Sequence, residues 1–269
     1  MAHTSDTRVV IITFYRFVHL PDYQTLRADL RTLCQQHDIY GTILLASEGI
    51  NGTIAGSQAG IDAIIAAFRT DERLRDMRYK TSYADFVPFK KMKVRLKREI
   101  VTIKTDSADP LAQVGTYVDP QDWNDIISDP EVLVIDTRNH FETTIGTFQG
   151  AISPQTASFS DFPDFVQTTL DPHKHKKVAM FCTGGIRCEK ATSYMLAQGF
   201  AEVYHLNGGI LRYLEEMPVQ ESLWQGECFV FDERVSVDHQ LQPGQATFCM
   251  TCKSLLVDAD TPCPHCTDA

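Results

Sequence analysis

Long apolar runs are missing from this chain. No uninterrupted stretch approaches the roughly 18 residues that a membrane-spanning helix needs. The start, Met1-Ala-His-Thr-Ser-Asp-Thr-Arg8, lacks the basic opening and apolar centre of a secretory signal. A cytoplasmic protein with no membrane partner is therefore expected. There is no Gly-x-Gly-x-x-Gly after a strand, so neither a flavin nor a nicotinamide site is expected. No set of two histidines and a carboxylate stands out as an iron site. Internal repeats and low-complexity tracts are absent too.

Basic residues are also scarce, 25 against 35 acidic ones, for a formal net charge of -10. The deficit is uneven. Residues 1–105 hold 16 Lys and Arg against 11 Asp and Glu, a net of +5, and the rest of the chain carries -15. An acidic protein with a basic first third can meet a polyanion through that third alone. At 269 residues the chain has room for two domains, or one large and two small.

The first third reads as alternating strands and helices. Val9 to Val18 is rich in β-branched and aromatic residues and predicts a strand. Pro21 to His37 sets Leu26, Leu30, Leu33 and Cys34 at helical spacing, which makes Cys34 a core residue. Ile43–Ala46 and Thr53–Ala55 are predicted strands flanking a turn at Glu48-Gly-Ile-Asn-Gly52, where Asn-Gly favours positive φ. A second helix is expected over Gln58–Arg69, with Ile61, Ile64, Ile65 and Phe68 inward. The order β-α-β-β-α-β fits a ferredoxin-like split unit over 1–105.

Its last strand alternates with period two. Lys91, Lys93, Arg95 and Lys97 share one face, Met92, Val94 and Leu96 the other, with Lys90 and Arg98 at the ends. Lysines can simply guard an edge strand against aggregation. Mixed charges would do so with less self-repulsion, so a phosphate-contacting strip is the preferred reading. Tyr79, Tyr83, Phe86 and Phe89 lie just upstream. They can stack on bases, although core packing suits most of them.

Thr105 to Pro110 is polar and turn-rich, a linker. Residues 106–225 then read as parallel strands alternating with helices, helices covering both faces: Val132–Asp136 and Val178–Phe181 as strands, Glu189–Gln198 as a helix, and Val203–Leu206 as a strand running into Asn207-Gly-Gly209. The chemistry lies in Cys182-Thr-Gly-Gly-Ile-Arg187. A strand delivers Cys182, the loop residues Thr183, Gly184, Gly185 and Ile186 let the backbone curl, and a helix begins just beyond. Converging N–H groups, a helix dipole and Arg187 should together favour a nucleophilic thiolate. A buried structural cysteine is the competing reading, and the Gly-Gly pair and Arg187 argue against it.

The loop length excludes one chemistry. A phosphatase loop of the tyrosine-specific kind needs five residues between Cys and Arg, and that count lands on Cys188. Cys188, at the start of the helix, can act as a resolving thiol, or it is a small packed residue. Asp136 and His140 are weaker candidates, and Arg138 can add positive charge to the pocket.

Four of the eight cysteines crowd the last 21 residues, inside a cysteine-rich tail expected over 226–269. Cys249-Met-Thr-Cys252 and Cys263-Pro-His-Cys266 are paired knuckles able to give zinc four thiolates, and four protein ligands make the metal structural. Disulfides are not expected in a reducing compartment. His265 can replace one ligand, but the all-cysteine set is simpler.

The loop is similar to that of rhodaneses, with Gly185 and Arg187 at the required places of Cys-x-x-Gly-x-Arg. Asp136-Thr-Arg-Asn-His-Phe-Glu142 and Asn207-Gly-Gly-Ile210 resemble two further segments of that fold. Together with Ser47-Glu-Gly-Ile-Asn-Gly-Thr53 and the cysteine-paired tail, nearly the whole chain resembles the TrhO family of bacterial tRNA uridine hydroxylases. The resemblance implies oxygen-dependent formation of 5-hydroxyuridine at the wobble position of the tRNA anticodon loop, with molecular oxygen as co-substrate. It also implies that Cys182 is the essential cysteine and that the first domain helps hold the RNA. Sulfur transfer through a Cys182 persulfide and non-catalytic RNA binding remain as alternatives.

Overall fold

A computed structural model describes residues 8–266, so the opening Met1–Thr7 read above lies outside it. The chain divides into two compact units, Met1–Val101 and Thr102–Ala269.

The first unit is built on β1 (Val9–Phe17), α1 (Tyr23–Gln36), β2 (Tyr40–Ala46), β3 (Gly49–Gly56), α2 (Gln58–Thr70), β4 (Tyr79–Ala84) and β5 (Met92–Leu96). The sheet order is β4-β1-β3-β2-β5. Helix α2 starts where the Ser57 hydroxyl accepts the Gly60 N–H at 3.1 Å, a side-chain N-cap. It buries Ile61, Ile64 and Phe68 against the sheet, each worth about 1.5–3 kcal/mol of apolar transfer. In α1, Leu30 and Cys34 are buried, and burial pushes the Cys34 thiol up to about 11, as befits a core residue.

Two details differ from expectation. The βαββαβ unit is completed by β4, and the basic strand β5 is a further one, added parallel to β2 at the sheet edge. The β2–β3 reversal falls at Ser47-Glu48, before the Asn-Gly pair. Asn51 and Gly52 sit within β3, opposite Tyr15 and Phe14. Gly52 is required there by close approach, since a Cβ would stand 2.8 Å from the Phe14 ring. Gly49, at φ +147°, takes the positive φ that was expected of Asn-Gly.

The second unit contains β6 (Thr116–Val118), α3 (Pro120–Ser128), β7 (Val132–Asp136), α4 (His140–Thr143), β8 (Gly146–Phe148), α5 (Phe162–Thr169), β9 (Lys177–Phe181), α6 (Ile186–Ala197), β10 (Glu202–Leu206) and α7 (Gly209–Glu216). Strands β6-β10-β9-β7 form an all-parallel sheet. Ala179 and Phe181 of β9 join the core with Trp123 of α3 and Ile210 and Tyr213 of α7. Val178 and Met180, which the pleat turns to the opposite face, are equally buried. Both faces of the sheet are therefore covered, as a parallel sheet requires.

After α7 the chain runs through β11 (Trp224–Gly226), β12 (Cys228–Phe229), β13 (Ser236–Val237), β14 (Thr247–Phe248) and β15 (Leu255–Leu256). Strand β11 pairs with β8, which fastens this segment to the parallel-sheet unit. Among the described residues, no helix is long and apolar enough to cross a membrane.

Candidate active site

Strand β9 ends at Phe181 and hands over Cys182, which is fully buried. Gly185, at φ +100°, is the N-cap of α6, a conformation a side chain would strain. Its N–H donates to Cys182 Sγ at 3.1 Å. The loop carbonyls point the other way, into the start of α7. Ile210 N–H donates to the Cys182 carbonyl at 3.0 Å and Leu211 N–H to the Thr183 carbonyl at 3.1 Å. Gly209 makes this approach possible, because a Cβ on it would lie 2.4 Å from the Cys182 carbonyl oxygen. The Asn207-Gly-Gly-Ile210 segment thus grips the back of the loop and leaves its amides facing the sulfur.

Burial alone would keep Cys182 a thiol. The Cys188 side chain, the Arg187 charge and the backbone N–H groups of Cys188 and Arg187 outweigh burial and hold it down at about 5. Cys188 goes the other way. Burial and the neighbouring Cys182 push its thiol well above the ordinary value. Cys182 is the anion of the pair and Cys188 keeps the proton. Thr137 completes the group, its hydroxyl 2.9 Å from the Phe181 carbonyl and 3.7 Å from Cys188 Sγ.

Arg187 is not a free charge. Its Nη1 and Nη2 donate to Glu142 Oε1 and Oε2 at 2.5 and 2.8 Å, a buried two-point ion pair. The partner carboxylate comes from α4, where Glu142 Oε1 also accepts the Asn139 N–H at 3.1 Å. Burial pushes the Glu142 carboxyl up, but the Arg187 charge and hydrogen bonds outweigh it and leave it below the ordinary range.

Arg138 is not a free charge either, although it helps hold the Glu142 carboxyl down. It is fully buried, bound to Asp136 through Nε at 2.9 Å and Nη2 at 2.6 Å, and it donates to the Gly146 carbonyl at 2.6 Å. The Trp224 ring covers it at 5.1 Å. Arg138 and Asp136 therefore brace the α4 turn. His140 is exposed on α4. Cys228 is buried, and burial pushes its thiol up to about 12, so it is an inert core cysteine.

Sequence reasoning missed the pairing of Glu142 with Arg187. The local signals at Glu142 are its place at the end of the Asp136–Glu142 segment and its capping spacing from Asn139, and neither marks a partner 45 positions away. It also missed Phe231, whose ring lies 6.0 Å from the Arg187 guanidinium carbon.

The four tail cysteines converge, with their sulfurs all within 4.8 Å of one another. Cys249 and Cys266 are 3.8 Å apart, Cys252 and Cys263 3.5 Å. A tetrahedral zinc with Zn–S of about 2.3 Å sets sulfurs about 3.8 Å apart, so this donor set fits a metal such as zinc. A disulfide would need about 2.05 Å. His265 is exposed and stands outside the set.

In the first unit, Lys90, Lys91, Arg95, Lys97 and Arg98 are exposed and Lys93 is half-buried. Val94 is buried on the opposite face, and its carbonyl accepts Arg27 Nε at 3.1 Å. Leu96 is exposed despite its apolar register. Tyr79 and Phe89 pack against core clusters, whereas Tyr83 and Phe86 are exposed.

Comparison with known proteins agrees with this architecture. Residues 119–216 match the rhodanese-like domain family, and residues 9–100 match the UPF0176 acylphosphatase-like domain family. The protein is thus of the rhodanese class, carrying an acylphosphatase-like domain ahead of the catalytic-type fold. That pairing is the domain architecture of the TrhO family. Among solved structures, the chain is similar to the rhodanese-like domain of the Anabaena protein Alr3790, at 17% identity over 42% of this chain and 80% of that one, TM-score 0.34. It is also similar to the Rhodopseudomonas palustris protein RPA3614, at 20% identity over 42% of this chain and 89% of that one, TM-score 0.35. A third likeness, to BlrP1 BLUF, has 16% identity, covers 34% of this chain and spans 66% of that protein's length, TM-score 0.30.

Proposed function

We propose that the protein hydroxylates the wobble uridine of tRNA at C5, with Cys182 as the nucleophile. The observation that carries the reading is the sulfur of Cys182, stabilised as an anion by the Gly185 amide at 3.1 Å and by the adjacent Arg187. The thiolate adds to C6 of the uracil ring, forming a C6–S bond and moving the π pair to an enolate on O4. Arg187 has five N–H donors, two directed at Glu142 and one at the Thr183 hydroxyl, so it retains donors for that oxygen. The electron-rich C5 takes one atom of dioxygen. The second atom leaves as water, at the expense of two electrons and two protons from a dithiol-class reductant. Loss of the C5 proton and cleavage of C6–S then restore the ring and the thiolate.

The exposed basic residues on and flanking β5, Lys90, Lys91, Arg95, Lys97 and Arg98, support an RNA substrate. A wobble base is already unpaired, which lowers the cost of bringing it to a buried sulfur. The paired tail cysteines supply a structural zinc site and take no part in the chemistry.

The test is nucleoside analysis of tRNA from cells with and without the gene. We expect 5-hydroxyuridine to disappear with the gene and to return with wild type but not with Cys182→Ser. Unchanged 5-hydroxyuridine with altered thiouridine would overturn the reading. Sulfur transfer is the second reading, because the four residues between Cys182 and Arg187 make a loop suited to a single terminal sulfur. A stable mass gain of one sulfur atom on Cys182 after thiosulfate would favour it.

A further inference from the structure

Three exposed aromatic rings near the Cys182 loop share one buried anchor. Phe229 is 5% exposed. Phe141, Phe231 and Phe248 meet it edge to face at 5.1, 5.0 and 6.3 Å, with interplanar angles of 88°, 87° and 80°. The three rings themselves are open to solvent, at 37%, 62% and 39%. They come from separate parts of the second unit: Phe141 from α4, Phe231 from the β12–β13 connection, and Phe248 from β14.

The cluster is continuous with the candidate site. Phe141 precedes Glu142, the partner of Arg187, and Phe231 lies against Arg187 itself. Phe248 directly precedes Cys249, the first of the four converging cysteines. Leaving three large apolar rings this open to solvent costs solubility. Fixed edge contacts on a common anchor leave each ring little freedom to lose on binding, which favours a built surface.

We propose that Phe141, Phe231 and Phe248 form a platform on which unpaired RNA bases beside the reacting base stack. The inference rests on the RNA reading above and names the part of that RNA which the second unit grips. Charge selects this contact. Residues 106–269 carry a net of -15, so this unit repels phosphates and its attraction for RNA lies in the faces of the bases. Phosphate attraction falls to the basic strand of the first unit. Aromatic stacking is indifferent to base identity, so the platform holds an open loop in place without reading its sequence.

The test uses the full-length protein and an anticodon stem-loop with a fluorescent adenine analogue next to its wobble uridine. Wild type should quench the analogue on binding. Phe231→Ala and Phe141→Ala should lose the quench and bind about 5- to 150-fold more weakly, the range expected for one lost stack. Phe231→Tyr should retain both. The thiolate absorbance of Cys182 should be unchanged in all three, which separates lost stacking from a disturbed loop. If wild type binds and quenches but the alanine variants match it, the platform is wrong and the RNA reading stands. If wild type does not bind the stem-loop at all, the RNA reading itself fails. If the alanine variants leave RNA binding intact and instead lose a bound apolar peptide, the surface serves a protein partner and the proposal is overturned.

Discussion

Arg187 and Glu142 lock together through two parallel hydrogen bonds, 2.5 and 2.8 Å long, beside the sulfur of Cys182, with Glu142 fully buried and Arg187 nearly so. The positive charge that lowers the Cys182 pKa is thus itself held in place by a buried negative one. Removing one member of such a pair leaves an uncompensated charge, at a cost of about 3–5 kcal/mol. Glu142→Gln should lower the urea midpoint accordingly. The Cys182 pKa should move further down, because Arg187 then acts on the thiolate without opposition. Thiolate absorbance against pH checks the second effect, and an upward shift would show that Glu142 serves the sulfur in some other way.

The two buried cysteines make opposite contributions to stability as pH changes. Cys182 falls from an ordinary 9.0 to about 5 in the folded chain. Between those values the unfolded chain holds a proton that the native state has lost, so stability rises with pH through this window. The contribution is complete above pH 9 and gone below pH 5. Cys188 is raised well above 9.0, so beyond that pH the unfolded chain sheds a proton the native state keeps, and stability falls. Melting temperatures of wild type minus Cys182→Ser should therefore grow from pH 5 to pH 9. Cys188→Ala should raise the pKa of Cys182, since it removes the side-chain hydrogen bond that helps hold the sulfur as an anion. An unmoved titration in that variant would assign the whole effect to Arg187 and the loop amides.

Much of the second unit was legible because its signals are local. The strand Val132–Asp136 was read at both ends, since a short apolar run stopped by a polar residue leaves little choice. Cys182, Gly185 and Arg187 were legible because one turn carries the whole loop. Helix α6 starts at Ile186, earlier than the expected Glu189, because Gly185 at positive φ caps it directly. The pairing of Arg138 is only partly legible: Asp136 lies two residues away, but the Glu142 and Gly146 carbonyls are reached only after α4 and β8 fold back on β7. The Asn-Gly turn failed for a related reason. Asn-Gly is a good turn pair in isolation, but Gly52 was needed under Phe14. The fifth strand β5 could not be placed from its alternation, which reveals a half-buried strand but not its neighbour.

The tail should depend on its metal. Strands β14 and β15 have two residues each, too few to hold a hairpin unaided. Their turn is tied by the Lys253 N–H to the Cys249 carbonyl at 3.0 Å, and the second knuckle by Cys266 N–H to the Cys263 carbonyl at 3.1 Å. Chelation, or Cys252→Ser, should release zinc and raise hydrogen exchange at the Lys253 and Cys266 amides. Amides of β9 should keep their protection, because β9 is central in a sheet with its own core. Protection in the tail that persists without metal would make the four thiols a packing cluster.

The basic strand makes a quantitative claim about salt. Arg95 and Lys97 are exposed, so replacing them leaves the buried Val94 face of β5 untouched. For a single-stranded target, each phosphate contact contributes about 0.7 to the slope of log affinity against log salt, and nearer 0.9 for a duplex. Arg95→Gln and Lys97→Gln should each weaken binding to the anticodon stem-loop and flatten that slope by roughly this amount. The loss should be equal for stem-loops of different sequence, because phosphates carry no sequence. Isothermal titration at several salt concentrations reads both effects. If affinity drops while the slope stays the same, the strand contributes something other than phosphate contacts. If neither changes, the lysines and arginines on and flanking β5 only guard a sheet edge.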